Sequence, residues 1–289
     1  MRWQSGTSDS DIEDRRGASG GGMGRVPGGG RGLGIGGLIV VGLLSLVFKQ
    51  DFFSLLDSNG ASDSGPNSAM SAPPSTESPE EKQRYEFIKF VVNDAQDAWT
   101  KILPASASVP YERAKLVLFR GRVESACGKA TSAEGPFYCP GDQKVYIDLA
   151  FYDELKKDFG AAGDFAQAYV IAHEIGHHVQ NLVGAEDELR SAMKGRSRSA
   201  NALSVQVELQ ADCLAGVWGH STQERKLLEA GDVDEALNAA ASIGDDNIQK
   251  MSGDRVRPES FTHGSSADRT AAFRRGMQSG TLSACGIGR

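Results

Sequence analysis

The sequence predicts an α+β domain, mostly helical with a small sheet, preceded by one transmembrane helix. Three observations carry that reading. Composition changes abruptly along the 289 residues, from a charged and glycine-rich start, through an uncharged apolar stretch, to a Ser- and Pro-rich segment. Two short runs, Ala114-Lys-Leu-Val-Leu-Phe119 and Lys144-Val-Tyr-Ile-Asp148, have the residues of strands. From Phe165 onward, apolar residues recur mostly at helical spacing.

Taken in order, residues 1–32 carry no periodic apolar pattern and predict a disordered, glycine-rich cytoplasmic tail. Residues 33–49 predict the anchor. Leu33 to Phe48 is uncharged, lies between Arg31 and Lys49, and sits at the short end of the about 17–25 residues that a spanning helix needs. No small-residue cleavage site follows it, which favours a retained anchor over a removed signal peptide. Arg15, Arg16, Arg25 and Arg31 precede the span, whereas Lys49 follows it with Asp51 close by. The positive-inside bias then places the N-terminus in the cytoplasm and the domain in the periplasm, on a single-pass inner-membrane protein. Residues 50–83 read as a flexible linker, rich in Ser, Pro, Ala, Asn and Gly between Asp57 and Pro79.

Residues 84–289 are long enough for one domain with its own core. A first helix fits Glu80 to Leu103, with Phe87, Phe90, Val91, Ala95 and Trp99 on one side and Pro104 as its end. The two strands follow, then a short helix from Ala150 to Phe159. Phe165 to Leu182 is proline-free, apolar on one side and stopped by Gly184. Further helical patterns cover Ser204 to Trp218 and begin again near Ser266. No internal repeat is evident.

Four cysteines occur, all in the domain: Cys127, Cys139, Cys213 and Cys285. None forms a closely spaced pair of the zinc-ribbon kind, and an even count in an oxidising compartment points to two disulfides. Cys127 with Cys139 would close a short loop containing Gly128, Gly135 and Pro136, and Cys213 with Cys285 would tie down the C-terminus; the other two connectivities stay open. A bridge over the short loop is worth about 3 kcal/mol, and the longer one a little more.

The segment His173-Glu174-Ile175-Gly176-His177 lies within the Phe165–Leu182 helix. Residues four apart share a helical face, so both imidazoles can reach one metal ion. Glu174 is rotated about 100° from His173 and is placed to act as a base beside the metal instead of as a ligand. A catalytic zinc takes three protein ligands and keeps one position open. A third histidine six residues on is absent, since Val183 stands there. Glu208 and Asp212, four apart on the Ser204–Trp218 helix, supply the alternative. Glu208 reads as the third zinc ligand, and Asp212 as the acceptor for the free ring N–H of a ligating histidine, His173 first. The bland reading of the same pair is a solvated acidic face.

His173-Glu174-x-x-His177 followed by Glu208-x-x-x-Asp212 resembles the gluzincin arrangement. The strings "AHEIGHHVQ…VELQADCLAGVW", "ACGKATSAEGPFYCPGDQKVYIDLAFYDEL", "HGSSADRTAAFRRG" and the start "MRWQ…DIEDRR" resemble the bacterial neutral zinc metallopeptidase family, the YpfJ-like proteins, over nearly the full length. The resemblance implies a zincin-like metallopeptidase fold. In gluzincins of the thermolysin kind a downstream histidine stabilises the oxyanion, and His263 resembles it by order and loop context; a helix-capping or purely structural role is the equal alternative. His178 points away from the ligand face and reads as packing, while His220 reads as a helix C-terminal histidine.

The expected function is a membrane-anchored zinc endopeptidase acting on protein or peptide substrates. The alternatives are a zinc-containing binding or chaperone module of the envelope that does not hydrolyse, and hydrolysis of other amides such as cell-wall cross-links. One strand, or the loop between the two, is expected to line the cleft and hold substrate by strand addition. A net charge of -7 without a basic stripe excludes nucleic acid as a partner.

Overall fold

The computed structural model describes residues 1–17, 77–185, 191 and 197–287. The apolar stretch 33–48 expected to span a membrane lies outside them. Among the described residues no helix is long and apolar enough to cross a membrane.

The first helix, α1 (Pro79–Ala107), starts with Ser78 as its cap, whose hydroxyl accepts the Glu81 N–H at 3.1 Å, and with Pro79 in the first turn. It runs through Pro104 rather than stopping there. The proline removes one backbone donor in the last turn, where Ser108 closes the helix in left-handed conformation with its N–H on the Pro104 carbonyl.

The sheet is built from β1 (Ile12–Asp14), β2 (Lys115–Phe119), β5 (Phe137–Cys139) and β6 (Lys144–Asp148), in the order β1-β2-β6-β5. The first three in that order are mutually parallel, and β5 runs antiparallel at the edge. A separate hairpin joins β3 (Arg122–Ser125) to β4 (Gly128–Thr131). Side chains alternate across a strand, so β2 and β6 serve two cores. Leu116, Leu118, Val145 and Ile147 pack with Trp99, Phe165 and Tyr169 in the main core. Val117, Phe119 and Tyr146 point to the other face and are covered by Val123 and Ala130 of the hairpin.

After β6 come α2 (Ala150–Lys157), α3 (Asp164–Leu182), α4 (Ser197–Glu224), α5 (Asp232–Ser242), α6 (Asp245–Met251) and α7 (Ser266–Ser279). Helices α4 and α7 lie against each other at glycine: a Cβ at Gly276 would clash with the Cys213 carbonyl. Cys213–Cys285 fastens the chain end to α4, and Cys127–Cys139 joins the hairpin turn to β5, with S–S separations of 1.99 and 2.05 Å.

Residues 1–17 correct the expectation of a disordered tail. Met1 is buried, Trp3 sits edge-on to Phe87 with ring centroids 5.4 Å apart, and Ile12–Asp14 is a strand of the sheet. Its charges meet partners distant in sequence: Arg113 holds Asp11 at 2.6 Å, Lys144 holds Glu13 at 2.7 Å, and Arg16 meets Glu77 at 2.7 Å. A charged segment without local periodicity is ordered by such long-range pairing. The domain therefore comprises residues 1–17 together with the stretch from about residue 78, not residues 84–289 alone, and the end of the expected linker is the first turn of α1.

Candidate metal centre

Helix α3 presents His173 and His177 one turn apart on the side facing α4. The helices can approach because residue 176 is glycine; a Cβ there would lie 2.9 Å from the Ala211 carbonyl oxygen. That contact sets Glu208 and Asp212 opposite the histidines. His173 Nε2 lies 3.2 Å from His177 Nε2 and 3.2 Å from Glu208 Oε2, while His177 Nε2 lies 3.6 Å from Glu208 Oε1. Donor atoms around a tetrahedral zinc, at bonds of about 2.0–2.2 Å, stand about 3.3–3.6 Å apart. The triangle fits such an ion.

The surroundings fit it too. Both outer ring nitrogens are taken: His173 Nδ1 lies 2.8 Å from Asp212 Oδ1, and His177 Nδ1 lies 2.8 Å from Gln180 Oε1. Gln180 is itself fixed, donating to the Val207 carbonyl and to Gln210. With N–H at both Nδ1 atoms, the inner nitrogens offer lone pairs towards the point that Glu208 also faces. Two buried carboxylates around His173 call for a positive charge at this point. Burial alone would lower its pKa, but Asp212 and Glu208 prevail and push it up to about 10. A metal ion supplies the same charge.

Asp212 is held from behind. Arg269 of α7 donates Nε to Oδ2 at 2.9 Å and Nη2 to Oδ1 at 3.0 Å, and the Tyr169 hydroxyl donates to Oδ1. All three side chains are buried. Burial would raise the Asp212 pKa, but Arg269 and then His173 outweigh it and bring it down to about 2. Arg269 and Tyr169 are additions that the sequence reading did not contain.

Glu174 stands beside the triangle and outside it, absent from the set of converging ligand atoms. Burial, opposed by His173 and reinforced by Glu208, pushes its pKa up to about 7. Its carboxylate accepts the backbone N–H of Tyr138, in the middle of edge strand β5. The stretch between the two expected strands is thus the part that borders the site.

His263 is buried in the loop before α7, with Nδ1 3.3 Å from Asp245 Oδ1. Asp245 also accepts the backbone N–H groups of Thr262, His263 and Gly264 at 2.7–3.0 Å, which fixes the loop. Among the influences that hold Glu208 ionised against burial, the largest comes from His263. His178 points elsewhere, bridging the Tyr138 hydroxyl and the Glu112 carbonyl in a packing role. His220 meets the Met277 carbonyl at the end of α7. A second carboxylate group, Asp164, Asp232 and Glu235, surrounds the Met1 ammonium, whose nitrogen lies 2.6 Å from Asp164 and 3.2 Å from Asp232. That single ammonium offsets part of the charge of the three carboxylates.

Residues 1–287 match the family described as "Putative neutral zinc metallopeptidase". The chain belongs to that family. It is 45% identical over 286 residues to "Uncharacterized protein YpfJ" of Escherichia coli, covering 99% of this chain and 98% of the relative. It is 41% identical over 204 residues to "Uncharacterized protein Rv2575" of Mycobacterium tuberculosis, covering 67% of each. No solved structure matches. Membership of this zinc metallopeptidase family extends over the amino-terminal residues as well as the HExxH helix.

Proposed function

We propose that this family member is a zinc-dependent endopeptidase, with His173, His177 and Glu208 holding the ion and Glu174 acting as general base. The observation that carries the reading is the convergence of three ligand atoms from two helices, with a buried carboxyl group next to them that is not a ligand. A bound zinc ion supplies Lewis acidity and lowers the pKa of water towards about 7. Glu174 takes the proton as water attacks the peptide carbonyl, then delivers it to the departing amine. A binding module has no use for such a base.

Asp212, clamped by Arg269, keeps the His173 ring in one tautomer and one orientation. His263 donates a hydrogen bond to the developing oxyanion, with Asp245 holding its far nitrogen. Edge strand β5 takes the substrate backbone as an added strand, which favours extended or unfolded polypeptide. Two disulfides support an oxidising compartment outside the cytoplasm for the catalytic fold, and the apolar stretch 33–48 supports association with a membrane.

The test is cleavage of denatured envelope protein by the wild-type chain and by Glu174→Gln, with and without chelator. Wild type should cleave and lose activity to the chelator; Glu174→Gln should keep its zinc and lose at least about 100-fold in rate. Wild-type turnover by the variant would remove Glu174 from the mechanism.

A further inference from the structure

We propose that residues 1–17 and the catalytic fold occupy the same side of any membrane the chain meets, so that the stretch 33–48 does not act as a single-pass anchor. The amino-terminal segment is built into the catalytic unit. Strand β1 lies parallel to β2 with Ile12 opposite Leu116 and Asp14 opposite Leu118, the Leu116 N–H donating to the Asp11 carbonyl at 2.7 Å and the Arg15 N–H to the Leu118 carbonyl at 2.8 Å. Asp11 and Arg16 are buried charges: Arg113 of the rest of the domain pairs with Asp11, and Glu77 and Glu81 join Asp14 around Arg16. At the far end of the segment, the Met1 ammonium is paired with Asp164, the first residue of the helix that carries His173 and His177.

A hydrogen-bonded sheet cannot be threaded through a hydrocarbon layer, because its backbone groups have no partners there. Residues 17 and 77, where the described segments end and resume, must therefore lie on one side of any such layer. The two ends are close together, since Arg16 Nη1 lies 2.7 Å from Glu77 Oε1 and 3.1 Å from Glu81 Oε1. A second crossing would need another apolar run. After Lys49 the sequence offers only Phe52, Phe53, Leu55 and Leu56 before the Ser-, Gly- and Pro-rich stretch, far short of the about 17–25 residues a span requires. The arginine bias before Leu33 thus does not separate the two ends of the chain. The two-sided arrangement expected from sequence is incompatible with the sheet.

The inference is independent of the proposed chemistry, because it uses only the packing of residues 1–17. Two full-length variants test it in intact cells, each carrying one added cysteine at an exposed position, Ser5→Cys or Met251→Cys. Each is treated with a membrane-impermeant maleimide before and after permeabilisation. Both positions should behave alike, either both labelled in intact cells or both labelled only after permeabilisation. Labelling of one in intact cells and of the other only after permeabilisation would overturn the proposal. A second measurement avoids added thiols. A specific protease site is inserted between residues 57 and 76 of the full chain, which is cut in mild detergent and then passed through gel filtration. The amino-terminal piece should elute with the catalytic domain, and its separation under non-denaturing conditions would also overturn the proposal.

Discussion

Arg269 and Asp212 form an ion pair shut away from water, and such pairs are costly to break from one side. Arg269→Gln would leave a buried carboxylate without its clamp and should cost about 3–5 kcal/mol of stability, measured by denaturant unfolding of the metal-free protein. The pair also sets a pH dependence. Asp212 titrates at 3.8 in an unfolded reference and at about 2 in the fold, so its contribution is complete above pH 3.8 and fades as pH falls through about 2. Acid unfolding of wild type should show that loss, and the Arg269→Gln variant should lack most of it. Asp212→Asn keeps the shape but loses the charge behind His173, and should weaken metal binding about 10–100-fold in a chelator competition. At this scale the sequence was readable wherever helical spacing alone decides a face, as with His173 and His177 or Glu208 and Asp212. Tyr169, one turn before His173, obeys the same spacing but is not a residue type that marks a metal site. Arg269 obeys none, because its meeting with Asp212 depends on how α7 packs on α4.

Helices α3 and α4 deliver the proposed ligands, and Gly176 governs the gap between them. Gly176→Ala puts a methyl group 2.9 Å from the Ala211 carbonyl oxygen and must push α4 away. It should cost about 1–3 kcal/mol by thermal unfolding, and metal binding should weaken because Glu208 moves with α4. Unchanged zinc affinity would mean that the helix spacing does not set the site. Long elements with strong periodicity, α3 and α4 among them, were legible from sequence, as were β2 and β6 with their buried runs. The three-residue strands β1 and β5 were not, since so short a stretch shows no alternation to read. Pro104 misled as a stop signal because the loss of one donor is tolerated in a last turn that Ser108 caps. The preferred disulfide pairing, Cys127 with Cys139 and Cys213 with Cys285, is the pairing found.

The whole molecule closes on itself through its first residues, which supply an outer strand to the sheet and an ammonium to the start of α3. A fragment beginning at residue 84 would lack β1, Arg16 and the first turn of α1. It should be markedly less stable than a chain in which residues 1–17 are joined to residue 77 by a short Gly/Ser linker, as differential scanning calorimetry would reveal. The adjacency of Arg16 and Glu77 makes that junction easy to bridge. Sequence patterns placed the domain boundary too late, because an ion-pair mesh such as Arg113 to Asp11 or Lys144 to Glu13 leaves no local trace. At this scale the proposed activity still depends on two helices and one ion. The most direct test is the zinc content of the purified full-length chain and of its Glu208→Ala variant, each determined by elemental analysis after exhaustive dialysis. About one zinc per wild-type chain is expected, from the open three-ligand site, and almost none in the variant. Full zinc occupancy in Glu208→Ala would contradict it.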